Sequence, residues 1–399
     1  MNIAFFMDQP PIYNSGYSQR IQREIRLISD FTGINTFAMV FVSPRELFSA
    51  KGLKKRLNNI PCSKVSSRHL LSSHLKINRK VYDYIYARIL YKWVKKHKID
   101  VLVCENLWCA YIGGQLLKWL NVKVVFDYHG VVPEESVYDN LCKIGDKNYN
   151  YLKLIEKKAL NESHSIICVS NRFKRYLIDS FGIDQNRISV VPCCVNDIPQ
   201  NINMAIREKI RRELSINSKK VIIYAGSIVK YQCVNEMIRI FSKLRQYDND
   251  FFFLFLSAYN NYGSIKQLFN NVGVSDEYYK LLSVKQSEVY DYLCAADFGM
   301  LIRDNDLLNK VSCPTKMAEY LMAGLPIIAT SSVGDIKDVK SNVILCEFED
   351  ITEEDFIKQI CNYDISVATR KNNFNTAYNY LFNNFTWESY KDVYRNLIF

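Results

Sequence analysis

The sequence predicts an α/β chain made of two doubly wound parallel-sheet domains facing a central cleft. Three observations carry this reading. Short continuous apolar runs, among them VKVVF, SIICV and DFGMLI, have strand length and no alternation, which suits parallel strands covered on both faces. Segments of helical periodicity stand between them and imply right-handed crossovers. The alternation breaks once, between residues 196 and 219, and then restarts.

The elements follow in order. NIAFFM reads as the first strand and GYSQRIQREIRLISDF as a helix opened by the loop Pro10 to Ser15. NTFAMVFVS is a second strand, and the basic region after it supplies one or two helices. DVLVCE is a strand, WCAYIGGQLLKWL a helix, VKVVFDY a strand and YLKLIEKKALNES a helix. SIICVS, NRFKRYLIDSFG and ISVVP add strand, helix and strand. DIPQNIN is turn-like and AIREKIRRELSI a polar helix, so the domain boundary falls here. KKVIIYAGS, VNEMIRIFSKLRQ, FFFLFLS, SIKQLFNNV, YYKLLSV, SEVYDYLCAA and DFGMLI resume the pattern. A polar loop then leads to a helix start at Ser312-Cys313-Pro314. Met317, Tyr320 and Leu321 follow at core spacing, with Gly324 as C-cap, PIIAT and NVILCEF as strands, and terminal helices to Phe399.

With 399 residues and 48% apolar content, the chain has room for two ordinary cores. No apolar run approaches the roughly 20 residues of a spanning helix. The N-terminus lacks a basic region before its apolar stretch and does not read as a signal peptide. Twelve scattered cysteines without a C-x-x-C pair point to a reduced, cytoplasmic chain. The net charge of +11 is concentrated: Lys51 to Asp100 holds fourteen Lys/Arg against two Asp, and the remainder is about neutral. That block is interleaved with aromatics. A solvated helix face, a nucleic-acid surface and an anionic membrane surface all fit it; no nucleic-acid-binding motif accompanies it, and the membrane is the partner expected.

Functional residues gather at strand ends, where ligands of open α/β sheets bind. Pro314 at a helix start leaves amides free, and Lys316 lies in the first turn, a pairing suited to phosphate. Glu319, one turn on, is placed to reach a ribose. Gly226 and Ser227 end the second domain's first strand, with Lys230 just beyond, and Arg303 ends another strand. Three cations at one edge suit a diphosphate. Asp304-Asn305-Asp306 resembles a D-x-D metal site, although cations already neutralise that edge and no metal is expected; Asp248-Asn249-Asp250 reads as a turn. In the first domain, Tyr13 to Gly16 form the loop after the first strand, and His129 follows VKVVFDY. Neither a G-x-G-x-x-G fingerprint nor a Walker loop is present. Cys193-Cys194 reads as small buried residues.

Together, the S-x-P-x-K-x-x-E-Y-L-x-A-G-L-P-I-I-A-T run from Ser312 to Thr330, the ICVSNRFKRYL and VVPCCVN stretches and the FTWESY ending resemble the family-four glycosyltransferases. These are retaining enzymes with two Rossmann-like domains (GT-B). The resemblance implies an acceptor-binding domain over 1–198, a linker over 199–217, a nucleotide-sugar-binding domain over 218–384 and a helix, 385–399, crossing back. It implies that Glu319 binds ribose, that Lys230 and Lys316 hold the diphosphate with Gly226, Ser227, Arg303 and Ser312 around them, that Gly16 and Tyr13 line the acceptor side, and that His129 contacts the transferred sugar or reacting centre. Two positions depart from the pattern. Val311 stands where the family has a sugar-reading Glu, so that acid is missing or replaced by Asp304 or Asp306. Ser227 stands where the family has Arg, with Arg303 as the substitute.

The activity expected is transfer of a sugar from a nucleotide-diphosphate donor to a lipid-linked or other cell-surface glycan acceptor, without a metal cofactor, in capsule or cell-envelope synthesis. The protein would be cytoplasmic and peripheral on the inner face of the membrane. A non-catalytic sugar-nucleotide-binding or scaffold protein of the same fold is the alternative; a nucleotide-sugar epimerase would need a richer set of acids and histidines.

Overall fold

The computed structural model describes residues 1–12, 16–42, 53–69, 79–195, 198–339 and 342–399. Tyr13 and part of the basic block (51–52 and 70–78) lie outside the described residues. The chain divides into two compact units, Met1–Pro192 with Trp387–Phe399, and Cys193–Thr386.

The first unit is built on seven parallel strands: β1 (Asn2–Met7), β2 (Asn35–Val42), β3 (Lys64–His69), β4 (Val101–Glu105), β5 (Lys123–Tyr128), β6 (Ser165–Cys168) and β7 (Ile188–Val190). Their order is β3-β2-β1-β4-β5-β6-β7. β2, β1, β4, β5 and β6 are buried almost throughout, which is why they read as unbroken apolar runs. β3 is different. It pairs only with β2, and its sequence KVSSRH is polar at the edge, so a helix was expected in its place. The last helix, Lys391–Ile398, belongs to this unit, where Tyr394, Leu397 and Ile398 join the core with Ile21, Ile25 and Val101.

The second unit has six parallel strands, β8 (Lys220–Ala225), β9 (Phe251–Leu256), β10 (Tyr279–Leu282), β11 (Phe298–Leu301), β12 (Ile327–Thr330) and β13 (Val343–Cys346), in the order β10-β9-β8-β11-β12-β13. Apolar clusters cover both faces, one around Phe241, Phe253 and Phe269 and one around Met317, Tyr320 and Leu321.

The stretch expected as a linker, residues 199–217, is an integral part of this unit. It carries the helix Met204–Leu214, whose Arg207 and Arg211 both pair with Asp297, which is 4% exposed, at 2.5 and 3.1 Å. Asp297 Oδ2 also accepts from the Val221 amide at 2.8 Å. Two of the three arginines of this polar helix are thus spent on a buried acid and on the carbonyls of Ala295 and Ala296.

In each sheet the strand order reverses beside the first strand, between β1 and β4 and between β8 and β11. Chain connections leave these strands in opposite directions there, so a crevice opens at their carboxyl ends. The helix Thr315–Met322 closes over β11 in the second unit. Gly299 lies directly beneath the buried Tyr320 ring, and a Cβ at Gly299 would come within 2.4 Å of it. The Tyr320 hydroxyl is held on the Met300 carbonyl at 3.2 Å, so the ring has no room to retreat. Gly299→Ala should therefore destabilise the protein by about 1–3 kcal/mol, the range for overpacking; an unchanged urea midpoint would contradict this packing.

Candidate functional site

The second unit's crevice is lined by cations. β8 ends at Ala225; Gly226 follows, and the loop leads to the short turn Lys230–Gln232. The Lys316 side chain lies across Gly226: a Cβ there would stand 2.7 Å from Cε and 2.9 Å from Nζ of the lysine. Lys316 Nζ donates to Gln232 Oε1 at 3.4 Å and sits 5.3 Å from the Tyr224 ring centre. Gln232 Oε1 also accepts from the Tyr224 hydroxyl at 2.9 Å. Burial lowers Lys316 to a pKa of about 8, Arg303 pushes it the same way, and only Glu319 opposes them. Glu319 itself is raised by burial, with Lys316 pulling it back.

Arg303, just beyond β11, is 4% exposed. One guanidinium nitrogen donates to the Tyr231 carbonyl at 2.6 Å, and the group lies 4.9 Å from the Tyr231 ring centre. Its Nε has no partner, and among the described residues no carboxylate forms an ion pair with Arg303 or Lys316. The backbone of Arg303 is clamped to Thr330, whose hydroxyl accepts from its amide at 2.9 Å and donates to its carbonyl at 2.7 Å. Next to this pair the helix Thr315–Met322 starts without a side-chain cap, so its first amides remain available to an anion.

Ser227 and Lys230 are exposed on the loop after β8. The Ser312 hydroxyl donates to the Asn309 carbonyl at 2.8 Å. Val311 is 2% exposed. Asp304 accepts from Asn309 Nδ2 at 2.5 Å and Asp306 caps the Leu308 amide at 3.2 Å, so both carboxylates order their own loop. Asp248 accepts from the Asp250 amide at 2.8 Å, a local turn. Cys193 and Cys194 are half-buried rather than buried, and the Cys193 amide donates to Cys313 Sγ at 3.3 Å.

The first unit's crevice is lined by acids. β4 and β5 run in register with Glu105 opposite Asp127, which sets both fully buried carboxylates side by side. His129, two residues on, returns to the same face: Nε2 is 2.9 Å from Asp127 Oδ2 and 3.3 Å from Glu105 Oε2. The helix Gly16–Ser29 presents Tyr17, Arg20 and Glu24 to this cluster. Arg20 pairs with Asp127 at 3.3 Å and donates to the carbonyls of Val191 and Pro192 at 3.1 and 2.9 Å. Tyr17 lies 5.9 Å from the His129 ring, and Gly16 starts the helix at the surface.

These groups divide their protons by environment. Burial alone would drive Asp127 up, but Arg20 and His129 hold it well below the usual carboxylate range. Burial and the neighbouring Asp127 and Glu105 raise Glu24 far above that range, and a side-chain hydrogen bond with Asp127 acts the same way. Glu105 is raised by burial against the pull of His129. His129 resists burial because Asp127 and Glu105 raise it to about 9. Glu105, Asp127 and His129 are also the one group among the described residues whose ligand atoms are close enough to hold a metal ion, but Arg20 already occupies Asp127.

Two family models match the chain: Glycosyltransferase Family 4 over residues 59–197, and Glycosyl transferases group 1 over residues 219–363. The chain belongs to the family-four-like GT-B glycosyltransferases. No curated protein gives a significant sequence match. Solved structures share the fold of this glycosyltransferase. A glycosyltransferase from Rickettsia africae ESF-5 is 17% identical with a TM-score of 0.70, covering 100% of this chain and 97% of its own. Anabaena Alr3699/HepE in complex with UDP is 12% identical with a TM-score of 0.72, covering 99% of each. WaaG, a glycosyltransferase involved in lipopolysaccharide biosynthesis, is 15% identical with a TM-score of 0.66, covering 98% and 99%.

Sequence reasoning placed Gly226, Lys316, Glu319 and Arg303 at one edge, and the structure brings Lys316 onto Gly226 and close to Arg303. It did not find Tyr224 and Gln232, nor Arg20, Glu24, Glu105 and Asp127 around His129. The one available signal was the acid ending each of DVLVCE and VKVVFD, charges at the close of otherwise apolar strands.

His129 in this glycosyltransferase should titrate near 9 by NMR rather than at the ordinary 6.5, and Glu105→Gln should lower that value. Because the folded value is raised, the stability it contributes is complete below about pH 6.5 and is lost as pH rises through 9. Titration near 6.5 would refute the acid clamp.

Proposed function

We propose that this glycosyltransferase is a retaining, metal-independent enzyme that moves a sugar from a nucleotide-diphosphate donor to a glycan or lipid-linked acceptor at an anionic membrane surface, in cell-envelope or capsule synthesis. One observation carries the donor half: a buried arginine, Arg303, and a half-buried lysine, Lys316, converge at the β8–β11 crevice, and among the described residues neither has an ion pair. Burying charge is costly unless something compensates it, and a diphosphate supplies the missing negative charge. UDP in the Alr3699/HepE complex shows that a protein of this fold takes such a ligand.

Lys316, Lys230 and the uncapped amides of Thr315–Met322 hold the diphosphate, with Gly226 and Ser227 giving it close approach and Ser312 flanking the helix start. Glu319 takes the ribose hydroxyls. Arg303 neutralises the phosphate charge that grows as the donor breaks down. The acceptor oxygen bonds to the anomeric carbon on the face from which the diphosphate leaves, the carbon–phosphate-oxygen bond breaks, and the acceptor proton passes to the departing oxygen. His129 contacts the transferred sugar. With a value of about 9 it is an imidazolium at neutral pH, a hydrogen-bond donor and local positive charge rather than a base. Gly16 and Tyr13 belong to the acceptor side. The cations do the work a divalent metal would otherwise do.

One observation favours the non-catalytic alternative. The sugar-reading acid is absent, since Val311 is packed away and Asp304 and Asp306 are committed to their loop. Turnover separates the two readings.

The acceptor half rests on the helix Arg79–His97. It buries Tyr86, Leu90, Trp93 and Val94 and exposes Arg79, Lys80, Tyr84, Arg88, Lys92, Lys95 and Lys96. Among the described residues no helix is long and apolar enough to cross a membrane. Each exposed cation near anionic lipid contributes about 1 kcal/mol.

Thermal-shift titration with UDP-, GDP-, ADP- and TDP-sugars should show stabilisation by at least one donor, and Lys316→Gln should weaken it at least about tenfold, the effect of losing one buried charge contact. Because Lys316 loses its proton near pH 8, donor affinity should fall up to about tenfold per pH unit above that value; a pH-independent affinity would refute its role. Glu319→Ala should abolish transfer while the fold persists, and unchanged turnover would sink the assignment. Vesicles containing anionic lipid should sediment the protein at low salt and release it at high salt. Equal binding to neutral vesicles would remove the electrostatic argument.

A further inference from the structure

A cavity in the first unit is lined by none of the residues of the His129 cluster. It measures about 370 Å³, within the range of roughly 300–1,000 Å³ typical of small-molecule sites. Three aromatic side chains, Tyr82, Trp108 and Tyr151, line it together with Arg79, Asp83 and Asn148. Asp83 is 3% exposed. One of its oxygens accepts from Trp108 Nε1 at 3.1 Å and the other from the Tyr151 hydroxyl at 2.9 Å. Arg79 lies 4.7 Å from the Tyr151 ring centre and donates to Asn148 Oδ1 at 2.7 Å.

The chemistry of the lining narrows what fits. An alkyl chain would bury Asp83 and Asn148 against hydrocarbon with nothing in exchange. A bare anion would meet a buried carboxylate opposite a single guanidinium. Each Asp83 oxygen has accepted one hydrogen bond and has a lone pair left, so the ligand must bring donors. It must also present flat apolar surface to the aromatic rings. A hydroxyl-rich ring with C–H faces meets both demands.

The cavity also adjoins the strand-end edge. Trp108 is in the first turn of the helix Leu107–Gln115, whose cap Asn106 directly follows Glu105 and donates to Asp8 beyond β1. Arg79 and Asp83 start the basic helix Arg79–His97. We propose that this pocket is a saccharide subsite that holds a sugar ring of the acceptor, stacked on Trp108 and Tyr82 and hydrogen-bonded to Asp83. This rests on the glycosyltransferase reading of the chain and names a binding residue set on its acceptor side.

The test is saturation-transfer NMR on the full chain, first without and then with saturating UDP, using free hexoses, N-acetylhexosamines and their disaccharides as probes. At least one saccharide should receive transfer, and Trp108→Leu and the surface change Arg79→Gln should each reduce it about fivefold or more, with circular dichroism melts confirming a folded variant. Absence of any saccharide signal, or a signal indifferent to both substitutions, overturns the proposal. Loss of the signal on adding UDP assigns it to the donor site and overturns it equally. The UDP thermal shift fails or succeeds separately, so failure of the donor reading is seen apart from failure of the pocket.

Discussion

The reversal of strand order beside the first strand of each sheet is the constraint on which both candidate sites depend. Strands covered on both faces cannot carry charge along their length, so the ionisable residues of this chain accumulate where the strands end. At β1–β4 and β8–β11 the connecting segments diverge and leave those ends uncovered. Several of the ionisable groups of the two candidate sites are attached there: Glu105 closes β4, Asp127 and His129 bracket the end of β5, and Arg303 follows β11. The fold thus fixes the place before any side chain fixes the chemistry.

The two crevices then differ in sign. In the second unit, Arg303 and Lys316 repel each other and only Glu319 offsets them, a balance that favours an anion. In the first unit, three buried carboxylates, Glu24, Glu105 and Asp127, share two cations, Arg20 and His129. That balance is reached by keeping Glu24 protonated, Asp127 ionised and His129 charged. Buried ion pairs add little net stability against a well-packed apolar alternative, so such a network is better understood as holding the His129 ring in a chosen orientation and protonation state. Arg20 does double duty by also capping the carbonyls that end the unit at Val191 and Pro192.

Much of the fold was legible because buried parallel strands announce themselves as apolar runs of limited length. β3 was not, since an edge strand with one partner tolerates the polar string KVSSRH. The polar helix Met204–Leu214 fell in the stretch expected as a linker because Arg207 and Arg211 carry no sign of where they point; only the position of Asp297 reveals it. The site followed the same division. Lys316, Glu319, Gly226 and Arg303 were readable from their distance to strand ends along the chain. Arg20, Glu24 and Glu105 reach His129 only through the sheet register and the face of a helix, and Asp83, Trp108 and Tyr151 meet across three helices. Those juxtapositions are properties of packing and leave no local pattern.

The charge state of His129 bears on what kind of catalysis this fold supports. A histidine near its ordinary value could serve as a base toward an acceptor hydroxyl. Clamped between Asp127 and Glu105, this one is already protonated and has no lone pair to offer. On the reading proposed above, its contribution is that of a hydrogen-bond donor and a fixed positive charge. The arrangement trades a base for a fixed dipole.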